Sequence, residues 1–141
     1  MSLIQDADRK LIAQRFEGLA HTVTLHMFTQ ENECRWCETT RQIVEELAGL
    51  SPKVRAEIHD FLTDAELAKQ YQIDKIPAIA VVGERDWGIR FYGVPAGYEF
   101  TPFLEAVLDA GRGEPELLAP LRAELAKVDK PVHLQVMVTP T

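Results

Sequence analysis

The chain contains two cysteines, Cys34 and Cys37, separated by two residues. They follow an apolar, β-branched run and open a segment with helical periodicity, so we expect the pair where a strand meets a helix. A thiolate at that position is stabilised by the helix dipole and by backbone N–H groups without a partner inside the helix. Because the thiolate is the form of cysteine that attacks a disulfide, the position predicts a redox-active dithiol.

The two cysteines are predicted to have different roles. Apolar residues at intervals of three and four predict a helix over residues 35–49. This helix places Cys34 at or next to its N-cap and Cys37 about one turn in, where the thiol is less accessible. We therefore predict that Cys34 is the nucleophile and Cys37 the resolving thiol. Arg35 adds a neighbouring cation, and although three nearby glutamates oppose it, we expect the pKa of Cys34 to lie below the usual value of about 8.5.

Two other interpretations of the cysteine pair, a zinc site and a structural disulfide, have less support from the sequence. A zinc site usually has four ligands, but the chain has no second cysteine pair, and its four histidines lack the His-x3–5-His spacing. A structural disulfide that closes so short a loop constrains the unfolded chain little. We therefore expect no metal ion, and we favour a reversible redox role for the pair.

Composition indicates a single small cytoplasmic protein. The chain has 141 residues, of which 46% are hydrophobic, and this is sufficient for one buried core. A formal net charge of −7 argues against nucleic acid or an anionic membrane as a partner. No segment resembles a signal peptide, and no apolar run is long enough to span a membrane. Two cysteines are also too few for a secreted disulfide scaffold.

The order of predicted elements is that of an α/β protein with an added first helix. That helix is expected over residues 3–19, with a capping box at Ser2 and Gln5 and with Leu11, Ile12, Phe16 and Leu19 on its buried side. The order β-α-β-α-β-β-α follows, with strands over residues 22–28, 54–59, 78–82 and 87–92, a capping box over 63–66, and a last helix from Thr101 that ends before Gly111. A parallel pair followed by a hairpin is the thioredoxin arrangement: a mixed four-stranded sheet with helices on both faces.

Three stretches resemble the glutaredoxin-like protein disulfide oxidoreductases. They are residues 34–37, residues 71–77 and, most specifically, residues 88–100, which contain Gly-Val-Pro-Ala-Gly at 93–97. The resemblance covers the chain from about Thr22 to its end. Members of that family have two thioredoxin-fold units in tandem, each with its own Cys-x-x-Cys, and they reduce, oxidise or isomerise protein disulfides. The resemblance therefore implies protein disulfide substrates and a thioredoxin-reductase-like flavoprotein as reductant; disulfide exchange itself requires no organic cofactor.

Further site residues are predicted around the cysteines. Ile76 and Pro77 open an apolar strand, where proline is tolerated. The resemblance implies a cis bond before Pro77, close to the cysteines, and a backbone edge on which a substrate chain can pair. Trp36 is predicted to offer substrates apolar contact area, with a partly buried core position as the alternative. His26, on the strand that leads to the site, is a candidate proton carrier that tunes the thiols, with a hydrogen-bonded structural histidine as the alternative.

The end of the chain echoes its beginning. Leucines at helical spacing predict a helix over residues 114–128 that restarts at Pro120, and residues 132–139 repeat the apolar pattern of residues 23–28. We predict a redox domain over residues 1–112. Residues 113–141 are then a linking helix and the first strand of a missing second unit, truncated before its Cys-x-x-Cys. A strand without its sheet exposes backbone groups and apolar surface, so we predict a homodimer through residues 114–141.

These features together predict a thiol–disulfide oxidoreductase that exchanges protein disulfides through Cys34 and Cys37. Two other classes of function stay open. One is a binding module with the same fold but without catalysis, and the other is a glutaredoxin-like carrier of an iron–sulfur cluster shared between two chains.

Overall fold

The fold is built on a mixed sheet of four strands. A computed structural model describes residues 1–139. The strands are β1 (Val23–Thr29), β2 (Val54–Asp60), β3 (Ala78–Val82) and β4 (Ile89–Tyr92), in the spatial order β2-β1-β3-β4. β1 pairs in parallel with β2 and antiparallel with β3, which pairs antiparallel with β4.

Helices lie on both faces of this sheet. In the described part of the chain they are α1 (Asp6–Glu17), α2 (Cys37–Ala48), α3 (Ala65–Gln70), α4 (Phe100–Arg112) and α5 (Ala119–Leu125), and a short 3-10 turn, Gly97–Glu99, precedes α4. The predicted thioredoxin fold with an extra N-terminal helix is confirmed. Among residues 1–139, no helix combines the length and the apolar character that a bilayer crossing requires.

Successive side chains along the strands point to opposite faces of the sheet, and two separate apolar clusters form, one on each face. Leu25 and Met27 of β1 are fully buried in the main core, together with residues of α1, α2 and α4. Phe28 lies on the other face, in a smaller cluster with residues of α3 and of the segment that follows it. Because successive side chains of a strand point to opposite faces, His26 shares the face of Phe28. His26 and α2 therefore lie on opposite faces of the sheet.

The first helix begins later than predicted. α1 starts at Asp6, and its N-cap Gln5 forms no side-chain cap. The predicted capping box fails because Ser2 donates instead to Glu46 of α2, which also accepts the backbone N–H groups of residues 3 and 4. Of the residues predicted on the buried side of this helix, Ile12, Phe16 and Leu19 are buried, whereas Leu11 is exposed.

The second helix also begins later than predicted. It starts at Cys37 with Trp36 as its N-cap, so Cys34 lies two residues before the N-cap and Cys37 is the first helical residue. The two intervening residues form a turn that precedes the helix. Cys34 is therefore further from the helix, and Cys37 nearer to its start, than the periodicity predicted.

Later elements differ from the prediction at their ends. β4 begins at Ile89 and not at residue 87. α3 lacks the predicted capping box: its N-cap Asp64 makes no cap bond and instead accepts the N–H of Asp60. Gly111 lies inside α4, which continues to a left-handed C-cap at Gly113 with φ of 78°. Glycine is suited to that backbone conformation, which explains why the helix ends there.

The predicted C-terminal strand is not formed. α5 spans Ala119–Leu125 and has Pro120 in its first turn, but residues 132–139 have no regular secondary structure, and residues 118–139 are exposed. A strand needs a neighbour for its N–H and C=O groups, and the four-stranded sheet β2-β1-β3-β4 does not include these residues. Residues 140 and 141, which complete the predicted second segment, lie outside the described residues. The division of the chain at residue 112 stays a prediction.

Candidate redox site

A disulfide joins Cys34 and Cys37 where the turn after β1 meets α2. Their Cα atoms are 5.5 Å apart, and the Cys37 N–H donates to the carbonyl of Cys34 over 3.4 Å. Cys34 is partly exposed, whereas Cys37 is buried, with only 3% of its surface accessible. Solvent, and any incoming molecule, therefore reaches the first cysteine more readily than the second.

Thr40 connects the start of α2 to the rest of the site. This buried side chain donates from Oγ1 to the carbonyl of Trp36 over 2.9 Å and to the carbonyl of Gly93 over 3.4 Å. The N–H of Gly93 in turn donates to the carbonyl of Pro77 over 2.9 Å. The first turn of α2, the loop after β4 and the entry to β3 are thereby tied together.

The peptide bond between Ile76 and Pro77 is cis, as the resemblance implied. Pro77 is buried, and Ile76 is partly buried against the cluster around Phe28. The connection through Gly93 brings this dipeptide to the same region as the first turn of α2. Its use by a substrate chain stays a prediction.

Trp36 and Arg35 form an exposed pair between the cysteines. Trp36 is 51% exposed, so it does not occupy a core position. The guanidinium carbon of Arg35 lies 4.6 Å from the centre of the indole, which is a cation–π contact. The apolar area expected beside the disulfide is present, with a positive charge resting on it.

His26 is placed away from α2, in a cluster of polar and aromatic side chains. Its Nδ1 is 3.1 Å from Nε2 of His59 and 3.3 Å from a carboxylate oxygen of Glu57, and its Nε2 is 3.2 Å from the hydroxyl of Tyr71. Desolvation on burial lowers the pKa of His26; Glu57 opposes this shift and His59 adds to it. The ring is hydrogen-bonded, as the structural alternative required, and its predicted tuning of the thiols stays a prediction.

This histidine cluster was missed by sequence reasoning. His26 and His59 are 33 residues apart, and they meet because β1 and β2 pair in a register that sets His26 opposite Glu57. Local spacing contains no trace of that register. The signal that could have revealed it is positional: His26 lies on a strand predicted to be the parallel neighbour of the strand that carries residues 57 and 59, and these two residues, two apart, share a face.

The fold and the disulfide define a thioredoxin-fold protein with a closed Cys-x-x-Cys pair at the start of a helix. Comparison with solved structures supports that class. The NTD_N/C domain of alkylhydroperoxide reductase AhpF from Enterococcus faecalis V583 is 23% identical, with a TM-score of 0.74 over 86% of this chain and 59% of that chain. A protein disulfide oxidoreductase from Aeropyrum pernix K1 is 18% identical, with a TM-score of 0.77 over 88% of this chain and 55% of that chain.

A second AhpF structure from the same organism, the C503A mutant, gives the same result: 23% identity and a TM-score of 0.75 over 88% of this chain and 60% of that chain. The chain thus spans between half and two thirds of the length of each of these three structures. No protein-family model matches it, and no curated protein sequence does. The resemblance predicted from the sequence is confirmed at the level of the fold.

Proposed function

We propose that this protein is a thiol–disulfide oxidoreductase that acts on protein disulfides. The observation that carries the proposal is the Cys34–Cys37 disulfide, in which a partly exposed cysteine precedes a buried one at the start of α2. Thiol–disulfide exchange needs one accessible sulfur to meet the substrate and a second close by to release it. The unequal exposure of the two residues supports that division of roles.

In the reducing direction, the thiolate of Cys34 attacks one sulfur of a substrate disulfide. An S–S bond forms between Cys34 and the substrate, and the other substrate sulfur leaves as a thiolate. The thiolate of Cys37 then attacks the sulfur of Cys34, which forms the intramolecular disulfide and releases the second substrate thiolate. Two electrons pass from the dithiol to the substrate, and the described structure is the oxidised product.

Insulin reduction with dithiothreitol as electron donor tests the proposal. The wild-type protein should accelerate the reduction, and Cys34→Ser should lower the rate to that of dithiothreitol alone. Full activity of Cys34→Ser would reverse the assignment of the nucleophile. An inactive wild-type protein that contains iron and acid-labile sulfide would instead support the cluster carrier, and an inactive one without them a binding module.

We propose that substrates contact Trp36, Ile76 and Pro77. The exposure of Trp36 and the hydrogen-bonded path from Thr40 through Gly93 to Pro77 support a contact surface that extends from the disulfide to the start of β3. Arg35 and His26 are proposed to tune the thiols, Arg35 by its charge beside Cys34. Because the sheet lies between His26 and α2, His26 would act on the thiols indirectly.

We propose that a thioredoxin-reductase-like flavoprotein supplies the electrons. Structural similarity to part of an alkylhydroperoxide reductase supports a reductase as the partner. Coupled oxidation of NADPH in the presence of such a reductase and insulin is the expected result. Activity with dithiothreitol but not with the reductase would refute this partner. The place of the activity in cytoplasmic redox homeostasis stays a prediction.

We also propose that two chains associate through residues 114–141. Large apolar side chains along α5 and beyond it are exposed, and this supports the proposal because association would remove apolar area from water. The exposed set comprises Leu118, Leu121, Leu125, Val128, Val132, Leu134, Val136, Met137 and Val138.

A further inference from the structure

Three potential metal ligands converge on the sheet face opposite α2. His26 of β1 lies opposite Glu57 of β2, and His59 is the next residue of β2 on the same face. Nδ1 of His26 is 3.1 Å from Nε2 of His59 and 3.3 Å from Oε2 of Glu57, and the last two atoms are 3.8 Å apart. Each residue thus contributes one ligand atom to a single small triangle.

The size of this triangle matches a metal site. Ligand atoms bound tetrahedrally at 2.0–2.1 Å lie about 3.3–3.4 Å from each other. For the three observed separations, a point about 2.1 Å from every atom lies about 0.7 Å out of their plane, which is the height of a tetrahedral ion above three of its ligands. An ion could therefore be bound with little movement of the side chains.

We propose that His26, Glu57 and His59 bind one divalent transition-metal ion of the Zn²⁺ class. Two imidazoles and a carboxylate suit such ions, whereas Mg²⁺ and Ca²⁺ prefer oxygen ligands. The side chains of His26 and His59 are 11% and 14% exposed, and that of Glu57 is 52% exposed. The ion therefore enters from the side of Glu57, and water completes its coordination there.

The surroundings hold His26 in the orientation that binding needs. The Tyr71 hydroxyl is 3.2 Å from Nε2 of His26, so this nitrogen has a partner and Nδ1 is directed to the triangle. Such outer partners fix the tautomer of a metal-binding histidine. The carbonyl of Tyr71 accepts the Nε–H of Arg90 over 2.9 Å, and the guanidinium is held by two bonds to Asp86.

The binding site is separate from the redox site, and the oxidation state of the cysteines provides the means to test it. With Cys34 and Cys37 joined as a disulfide, the protein offers no thiolate to a metal ion. Untagged, fully oxidised protein titrated with Zn²⁺ by calorimetry should bind one equivalent with a Kd in the micromolar range or tighter. Mg²⁺ at millimolar concentration should not compete.

Variants identify the ligands. Glu57→Gln and His59→Gln should each weaken Zn²⁺ binding at least tenfold. His21→Gln is the matched control, since Nε2 of His21 lies 3.6 Å from a carboxylate oxygen of Glu84 in a pair without a second histidine. Its affinity should equal that of the wild type. Circular dichroism checks that each variant is folded, and Glu57, being exposed, decides the question if His59→Gln does not fold.

Co²⁺ provides an independent readout on the wild-type protein. Four-coordinate Co²⁺ absorbs strongly in the visible range, and six-coordinate Co²⁺ absorbs weakly. A strong band that Zn²⁺ displaces is expected. Failure of the oxidised wild type to bind Zn²⁺ below 100 μM, unchanged binding in Glu57→Gln or in a folded His59→Gln, or a weak Co²⁺ band would overturn the proposal and leave a hydrogen-bonded cluster that does not bind the metal at this site.

Discussion

At the scale of single residues, the disulfide owes its asymmetry to the start of α2. Cys37 is the first helical residue and is buried, whereas Cys34 lies before the turn that precedes the helix and is partly exposed. The Cys-x-x-Cys spacing between a predicted strand and a predicted helix was sufficient to predict the pair, and the predicted helix was sufficient to predict that Cys37 is less accessible than Cys34. The position of the N-cap was not predictable, because the helical periodicity extends across Trp36 without interruption.

Trp36 is predicted to increase affinity for protein substrates. Trp36→Ala removes exposed apolar area beside the disulfide, so we expect KM for insulin to rise about three- to tenfold, equivalent to ~1 kcal/mol, with kcat little changed. The rate with a small aromatic disulfide should stay within twofold of the wild type. Trp87→Ala is the control, since Trp87 is also exposed and stacked under an arginine but lies beyond β3. An equal rise in KM for both variants would contradict a specific role for Trp36.

At the scale of elements, Glu46 fixes the N-terminal segment on α2. Its carboxylate accepts bonds from the Ser2 hydroxyl, from the N–H groups of Leu3 and Ile4, and from the Gln42 amide, at 2.7–3.0 Å. Desolvation opposes ionisation, but these bonds outweigh it and hold the pKa of Glu46 at about 2, against a usual value of 4.5. The contact replaces the capping box predicted at Ser2, and a partner 44 residues away could not be read from local sequence.

Glu46 is predicted to make stability depend on pH. Since its pKa is lower in the folded state, its contribution is complete above the unfolded value of 4.5 and is lost as pH falls toward about 2. Glu46→Gln should lower the free energy of unfolding at pH 7 by about 1–2 kcal/mol, and the difference from wild type should shrink between pH 4.5 and 2. Urea unfolding across this range measures it. Glu45→Gln, on the exposed side of α2, should show neither effect. A difference in free energy of unfolding between Glu46→Gln and wild type that does not vary with pH would contradict the role of the Glu46 carboxylate.

The packing of α4 against the end of β3 depends on Gly83. A Cβ at this position would collide with the backbone carbonyl of Ala110 in α4, and backbone cannot move aside as a side chain can. Gly83→Ala should therefore lower the free energy of unfolding by at least ~2 kcal/mol. Gly18→Ala is the control, because its Cβ would be 3.7 Å from the nearest atom, the Arg15 carbonyl, and the change should be within ~0.5 kcal/mol. Equal thermal unfolding of the two variants would contradict this account of the contact.

The order of elements was predictable, and the contacts between them were not. Apolar alternation and turn residues were sufficient to predict the four strands, the hairpin and the helix between the parallel pair. The register that sets His26 opposite Glu57 depends on how β1 and β2 pair, and the pairing is fixed by the packing of both faces. The candidate metal site is therefore a property of the sheet that local spacing does not contain.

At the scale of the whole molecule, the buried core and the exposed tail occupy different parts of the sequence. The main cluster extends from Ile4 to Ala110, whereas residues 118–139 are exposed. Apolar periodicity predicted α5 and a further strand, but only the helix forms, because a helix satisfies its own backbone and a strand requires a neighbour. An apolar sequence pattern shows that a segment can form a strand, but it does not show whether a neighbouring strand is available to pair with it.

Self-association through the tail is predicted to be concentration-dependent. Sedimentation equilibrium should detect dimers of the wild-type chain at high micromolar concentration. The double variant Leu134→Glu/Val136→Glu should be monomeric, because it places charge on the apolar segment. Leu62→Glu, which alters an exposed leucine outside the tail, should dimerise as the wild type does. A wild-type chain that stays monomeric at high concentration would show that the tail makes no such contact.

The central claim, that Cys34 attacks and Cys37 resolves, is tested most directly by capture of the mixed disulfide. Each single variant, Cys34→Ser or Cys37→Ser, is incubated with a peptide that contains one intramolecular disulfide, then quenched with acid and analysed by intact mass spectrometry. Cys37→Ser should accumulate a one-to-one adduct, linked through Cys34 and released by dithiothreitol, at a rate at least tenfold above that of Cys34→Ser. An adduct that forms faster on Cys37 would contradict the account.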